Sequence, residues 1–298
     1  MSTVASAVAS PRPRRRRSAA SRLFSARTLG TVVVILAGIV FAFPIVLAAV
    51  YSLKATQDIL SDQYPLSLAS FIPLRPTLEN YQTVFGPLNF QNNILNTLIA
   101  ATGQVVMAVV CSTLAGYAFA RLRFPGRDVV FSLLLLASFV SVEAILVPLY
   151  SITQWLGLTS TYVALFLPFA CNPFGIYLMR QSFREIPVEL EEAARLDGAN
   201  VWRIFFSIAI PNVLPALATL VLIQFIWAWN AYLWPVVIMQ DPGKQIAQVA
   251  LANMKSFPNF PMDGPLFAGA TVITIPLVIM AIFLQKYYVR GLSSSGMK

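Results

Sequence analysis

The sequence predicts an all-α membrane protein of six transmembrane helices. Three observations carry this: 57% of the 298 residues are hydrophobic, only 11% are charged, and the apolar residues gather into long runs separated by short polar stretches. That charged share is under half of the ~25% usual in soluble domains. A run of ~20 apolar residues crosses a hydrocarbon layer of ~30 Å as a helix rising 1.5 Å per residue.

Residues 1–28 are rich in Ser, Ala, Pro and Arg, include the run Arg14-Arg15-Arg16-Arg17, and hold too little apolar surface to order themselves. They are expected to form a disordered basic cytoplasmic tail. A basic stretch before an apolar run also describes a signal peptide, but Leu29 to Leu53 exceeds a ~7–15-residue signal core and further spans follow. The membrane domain then covers 29–292, with spans expected at 29–53, 93–120, 129–152, 161–182, 211–239 and 265–288, and a short cytoplasmic tail at 293–298. Pro44 in the first span and Pro211, Pro215 and Pro235 in the fifth each lack a backbone donor, so kinks or broken ends are expected there. The long segments 54–92 and 240–264 read as either a docking surface for an extracytoplasmic partner or ordinary capping loops.

Basic residues orient the bundle. With the N-terminal tail inside, the four inner segments hold seven, three, four and three basic residues, whereas the outer ones hold only Lys54, Arg75, Lys244 and Lys255. Both termini are therefore expected in the cytoplasm of a bacterial cell membrane. This topology accounts for the formal charge of +9 without nucleic acid. There is no histidine, and Cys111 and Cys171 lie inside apolar runs, so neither a metal site nor a disulfide framework is expected. No Gly-x-x-x-x-Gly-Lys-[Ser/Thr] phosphate loop is present, because Gly243-Lys244 lacks the preceding glycine. The chain is expected to contain no catalytic residues.

The segment between the fourth and fifth spans is locally legible. Pro187 suits a helix start, and Glu189, Glu191 and Glu192 lie in the first turns, where the helix dipole favours carboxylates. Glu191 and Arg195 are spaced i, i+4 in the better orientation. Asp197-Gly198 breaks the helix, Gly198 being free to take the left-handed conformation, and Asn200 can cap a second helix running toward Pro211. Two short helices with a small pair, Ala193-Ala194, beside acids read as either a plug for another protein's socket or a solvated capped loop.

Glu192-Ala193-Ala194, followed after three residues by Gly198-Ala199 and then by Phe205 and Pro211, resembles the EAA signature of permease subunits of bacterial ATP-binding-cassette (ABC) importers. The form Glu-Ala-Ala-x-x-Asp-Gly-Ala is similar to the carbohydrate branch, which includes the maltose and glycerol-phosphate permeases. Tyr117-Ala118-Phe119-Ala120-Arg121, Val147-Pro148-Leu149-Tyr150 and Trp229-Asn230-Ala231-Tyr232-Leu233-Trp234-Pro235 are similar to segments of that branch, so the likeness covers about residues 30–292. The resemblance implies a type I ABC importer permease fold. It also implies a second homologous permease subunit, two cytoplasmic ATPase subunits that bind ATP and Mg, and an extracytoplasmic substrate-binding protein. Coupling helices at 187–209 would seat in the ATPase, with Glu189, Glu192, Ala193, Ala194, Asp197, Gly198 and Arg203 as the contact and hinge residues. The substrate would be a sugar, a polyol or a glycerol-phosphate compound.

Within the spans, Glu143 is the one acid placed well inside, which marks either a functional position or a structural hydrogen bond. Gln224, Trp227, Trp229 and Asn230 read as a polar and aromatic cluster able to line a sugar pathway, and Trp234 as part of an interfacial belt. Ala108, Ser112, Gly116 and Ala120 recur every four residues, a narrow ridge that reads as either simple helix packing or a face that lies against the partner permease and slides during gating. A permease for peptides or amino acids shares the coupling loop and is set aside on the resemblance alone. A proton-coupled secondary transporter would need more than one intramembrane ionisable group.

Overall fold

The computed structural model describes residues 19–61, 68–254 and 263–295, and every regular element among them is helical. In order these are α1 Ala19–Ser52, α2 Thr56–Ser61, α3 Leu68–Phe71, α4 Glu79–Phe85, α5 Phe90–Arg121, α6 Arg127–Ala137, α7 Val142–Trp155, α8 Tyr162–Phe166 and α9 Pro173–Arg184. Then come α10 Val188–Leu196, α11 Val201–Ile204, α12 Ile210–Asn212, α13 Leu214–Trp229, α14 Leu233–Ile238, α15 Ala247–Met254 and α16 Asp263–Ser295. The chain divides into two compact units, Met1–Leu47 and Ala48–Lys298.

The first unit contributes most of α1. This helix begins at Ala19, ahead of the expected start at 29, because Ala19-Ala20-Ser21-Arg22-Leu23 holds good helix formers and no breaker. The expected tail at 1–18 lies outside the described residues. α1 also passes Pro44 without a break, since one missing N–H removes a single rung of the ladder. Every described side chain from Thr28 to Val46 is exposed.

Six candidate spans exist by length and composition, but only three are continuous helices: Thr28–Ser52, Phe90–Arg121 and Asp263–Phe283. The other three are pairs: α6 with α7, bent by 103°; Tyr162–Phe169 with α9, bent by 50°; and Val201–Asn212 with α13, bent by 78°. The third and fourth spans, expected as single runs, are corrected accordingly, whereas the break in the fifth falls beside Pro211, where one was expected. The chemistry of each break is local. Ser141 is extended ahead of α7. Pro173 opens α9 behind Asn172, whose side-chain oxygen accepts from the Gly175 amide at 3.0 Å. Pro211 cannot donate to the preceding turn, and the helix relaxes into a π segment at Phe205–Ala209 before bending at Val213.

The fifth span therefore runs from Val201 to Trp229 and not over 211–239; after Asn230 the chain leaves the helix, and α14 is a separate turn and a half. At the C-terminus α16 continues to Ser295, past the expected tail boundary at 293, and 296–298 lie outside the described residues.

In the second unit α5 is central. Its buried positions recur through Phe90, Asn96, Thr97, Ala101, Gln104, Ala108, Ser112, Gly116 and Tyr117, and it packs on α9 and α13. One apolar cluster, with Phe90, Phe225, Trp229 and Ile273, fills the end near Phe90. Another, with Tyr117, Met179, Phe183, Phe205 and Leu220, fills the end near Arg121.

Candidate functional site

At the Arg121 end, the helical hairpin α10–α11 stands on the bundle. Pro187 is extended at the N-cap, and Glu189 and Glu191 occupy the first turn of α10. The helix closes with paired bonds, from the Ala199 amide to the Ala194 carbonyl at 2.9 Å and from the Gly198 amide to the Arg195 carbonyl at 3.0 Å. This closure needs a left-handed residue, and Gly198 supplies it with φ +81°. Asn200 caps the next helix, its Oδ1 accepting from the Arg203 amide at 2.8 Å. The turn and the cap thus follow the sequence reading.

The two faces of the hairpin differ. Inward, Ile204 and Phe205 are buried, and Tyr117 meets Phe183 and Phe205 edge-on with ring centroids 5.3 and 5.0 Å apart. Outward, Glu189, Glu192, Ala193, Asp197, Gly198 and Arg203 are exposed and Ala194 is half-buried. Leu196 is 89% exposed and Trp202 61%, the latter stacked on the equally open Phe206 at 6.2 Å. An isolated soluble chain does not leave such groups uncovered.

A residue outside the predicted set ties this hairpin down. Glu191 is the sole buried residue of α10. Its Oε1 lies 2.9 Å from Nε of Arg121, the last residue of α5, in a pair whose side chains are 3% and 9% exposed. The Nε hydrogen does not point at that oxygen, so this is an ion pair and not a directed hydrogen bond. The Tyr117 hydroxyl donates to Glu191 Oε2 at 3.4 Å, and Arg195 Nη2 stands 3.9 Å from the same oxygen. Arg121 Nη2 also donates to the Ile186 carbonyl just before α10. A polar cavity of about 700 Å³ opens beside the pair, lined by Arg121, Arg123, Arg127, Glu191, Glu192 and Arg195 among others. The i, i+4 spacing of Glu191 and Arg195 was the available signal; Arg121 reads in the sequence only as an orienting charge.

Of the two readings of the small-residue ridge, simple helix packing is the one found, and the partner-permease face is corrected. Ala108, Ser112 and Gly116 are buried and Ala120 is half-buried, but what they face is α9 of the same chain. A Cβ on Gly116 would stand 2.6 Å from Met179 Cβ, and one on Gly175 would stand 2.5 Å from Ser112 Oγ. Backbone packs on backbone here, so the ridge is an internal seam and no second subunit can occupy it.

The predicted pathway residues are not brought together. Gln224 is fully buried, and neither amide atom has a partner among the described residues. Trp229 is buried, donating from Nε1 to the Ile273 carbonyl at 3.1 Å. Trp227 and Asn230 point to the exposed side, Asn230 returning its amide to the Ile226 carbonyl at 2.8 Å. Glu143 is not deep in a straight span; it sits exposed in the first turn of α7, just after the 103° break. Trp234 is buried and donates to the Ala164 carbonyl at 2.8 Å, so it is a core residue and not part of a belt. Among the described residues no group of three or more His, Cys, Asp or Glu side chains could hold a metal.

Continuous and broken apolar helices long enough to cross a membrane, carrying an exposed helical hairpin, define the class as an all-α membrane protein. The chain belongs to the family described as binding-protein-dependent transport system inner membrane component, whose model matches residues 108–294, the hairpin included. It is 34% identical over 230 residues to the trehalose transport system permease protein SugB of Mycobacterium tuberculosis, covering 76% of this chain and 84% of that protein. Over 217 residues it is 35% identical to the sn-glycerol-3-phosphate transport system permease protein UgpE of Yersinia pestis, covering 72% and 75%. Its fold matches a chain of a bacterial ABC transporter involved in the import of the acidic polysaccharide alginate, with TM-score 0.79, 26% identity and coverage of 91% and 98%. The fold is thus that of an ABC importer permease, and the chain is a multi-pass membrane protein.

Proposed function

We propose that the chain is one permease subunit of an ATP-driven importer for a sugar or a related polyol or glycerol-phosphate compound. It pairs with a second homologous permease, and its hairpin α10–α11 seats in one of two cytoplasmic ATPase subunits that hold ATP and Mg. A substrate-binding protein delivers cargo on the opposite side. The relatives named for trehalose and glycerol-3-phosphate, and the alginate importer crystallised with its periplasmic protein, support this reading. The basic asymmetry of the inner segments supports cytoplasmic termini.

The observation that carries the reading is the hairpin's outer face. Its turn is closed at Gly198 and capped by Asn200, yet Leu196, Trp202 and Phe206 are left open beside Glu192 and Ala193. Such a surface awaits a protein: small residues admit close approach, and the carboxylate offers an arginine a bidentate partner. On the pathway side, Glu143, Trp227 and Asn230 are the residues able to meet cargo, because their side chains are open, whereas Gln224 is enclosed.

The test is a pull-down of the tagged chain from mild detergent. Recovery of an ATPase and a second permease, with ATPase lost in Glu192→Lys, is the expected outcome. A chain that purifies alone in every detergent overturns the reading.

A further inference from the structure

We propose that the Arg121–Glu191 ion pair is the positioning link through which movement of α10 is carried into α5. The inference rests on the importer reading and adds to it a pair whose side chains are 9% and 3% exposed. α10 has one buried side chain, and it is a carboxylate. Beside it lies the polar cavity of about 700 Å³, lined by Arg121, Glu191 and Arg195 among others. The Glu191–Arg121 contact at 2.9 Å and the Tyr117 hydroxyl at 3.4 Å tie α10 to α5.

The same guanidinium also holds the Ile186 carbonyl, so Arg121 grips both the entry to α10 and its buried face. α5 is an unbroken helix of 32 residues. Displacing its Arg121 end displaces the distant end near Phe90, where Asn96 holds the Gly243 and Gln245 carbonyls at 3.0 Å each. An ion pair suits this role because it tolerates rotation better than interdigitated apolar packing while resisting separation in a low-dielectric setting.

The experiment uses the complex as purified, with Cys111→Ser and Cys171→Ser and a reporter at the far end of α5, Gln91→Cys. The rate of labelling by a water-soluble maleimide is compared with and without ATP plus vanadate. The reporter chain should show a nucleotide-driven change in rate. Glu191→Gln should shrink that change by about fivefold or more with the ATPase still bound, the range expected for loss of one coupling contact. Arg121→Gln, which leaves the α10 surface untouched, should do the same, and the exchange Arg121→Glu with Glu191→Arg should recover part of the response. A merely structural pair would lower yield without changing the nucleotide response. An unchanged response in Arg121→Gln overturns the link, as does a reporter chain that binds ATPase but shows no response. Failure of the ATPase to co-purify with the unmutated chain refutes the importer reading, and the link with it.

Discussion

The two ends of α5 are fastened by different chemistry. At Arg121 the fastening is ionic and concentrated: one guanidinium holds one buried carboxylate and one carbonyl. At the Phe90 end it is neutral and spread over several groups. Asn93 donates to the Gln245 carbonyl at 2.8 Å, and Asn96 donates to the Gly243 and Gln245 carbonyls while accepting from Tyr162 at 2.7 Å. Thr97 accepts the Ala247 amide at 2.8 Å and donates to the Asn93 carbonyl at 2.7 Å. A concentrated pair transmits force but fails when one member is lost, because the survivor is left as a buried charge. A distributed amide network loses one bond at a time and holds the loop 239–246 in place regardless of charge.

The largest test of that contrast is Glu191→Ala. It should destabilise the folded chain by about 3–5 kcal/mol, since Arg121 is left unpaired and only 9% exposed. The midpoint of thermal unfolding in detergent reads this directly, and a shift no larger than that of an exposed control such as Glu189→Ala would remove the contrast. Asn96→Ala should cost less, about 1–3 kcal/mol, from two carbonyls and a hydroxyl losing one partner each. A larger fall in melting midpoint for Asn96→Ala than for Glu191→Ala would reverse the ranking of the two ends. The smallest effect belongs to the hairpin turn. Gly198→Val should cost about 1–2 kcal/mol from φ alone, because no atom lies within 4 Å of the added Cβ, while Gly198→Asn should be nearly neutral. Equal losses for valine and asparagine would show that space and not φ governs the turn.

Local chemistry was legible in the sequence and distant chemistry was not. The Gly198 turn and the Asn200 cap follow from neighbours within three residues, so their geometry is written where they occur. Glu191 and Arg121 are 70 positions apart, and the i, i+4 spacing that singles out Glu191 points to Arg195 and says nothing of burial or of Arg121. Run length located six apolar stretches but says nothing of direction, so the bends at 138–141 and 170–172 were invisible, whereas the one at 213 falls beside Pro211, where the missing backbone donor already marked a break. Gln224, Trp227, Trp229 and Asn230 were grouped by proximity in the chain. On a helix Gln224 and Trp229 turn inward while Trp227 and Asn230 turn outward. The ridge was recognised as a packing surface, yet spacing alone cannot say whose helix fills it, and Met179 and Arg180 of this chain do.

The break between α6 and α7 bears on how this molecule is mapped. α6 has 11 residues, a rod of roughly 16 Å, too short to cross a hydrocarbon layer of ~30 Å. In a density map that shows only rods, α6 and α7 would be counted as two stubs meeting at a steep angle. A reporter enzyme fused within 138–141 would lie between the two faces that fusion mapping distinguishes and give an ambiguous side. Fusion junctions at the loops 122–126 and 156–161, beyond both ends of the pair, avoid that ambiguity and decide whether α6 and α7 together make one crossing.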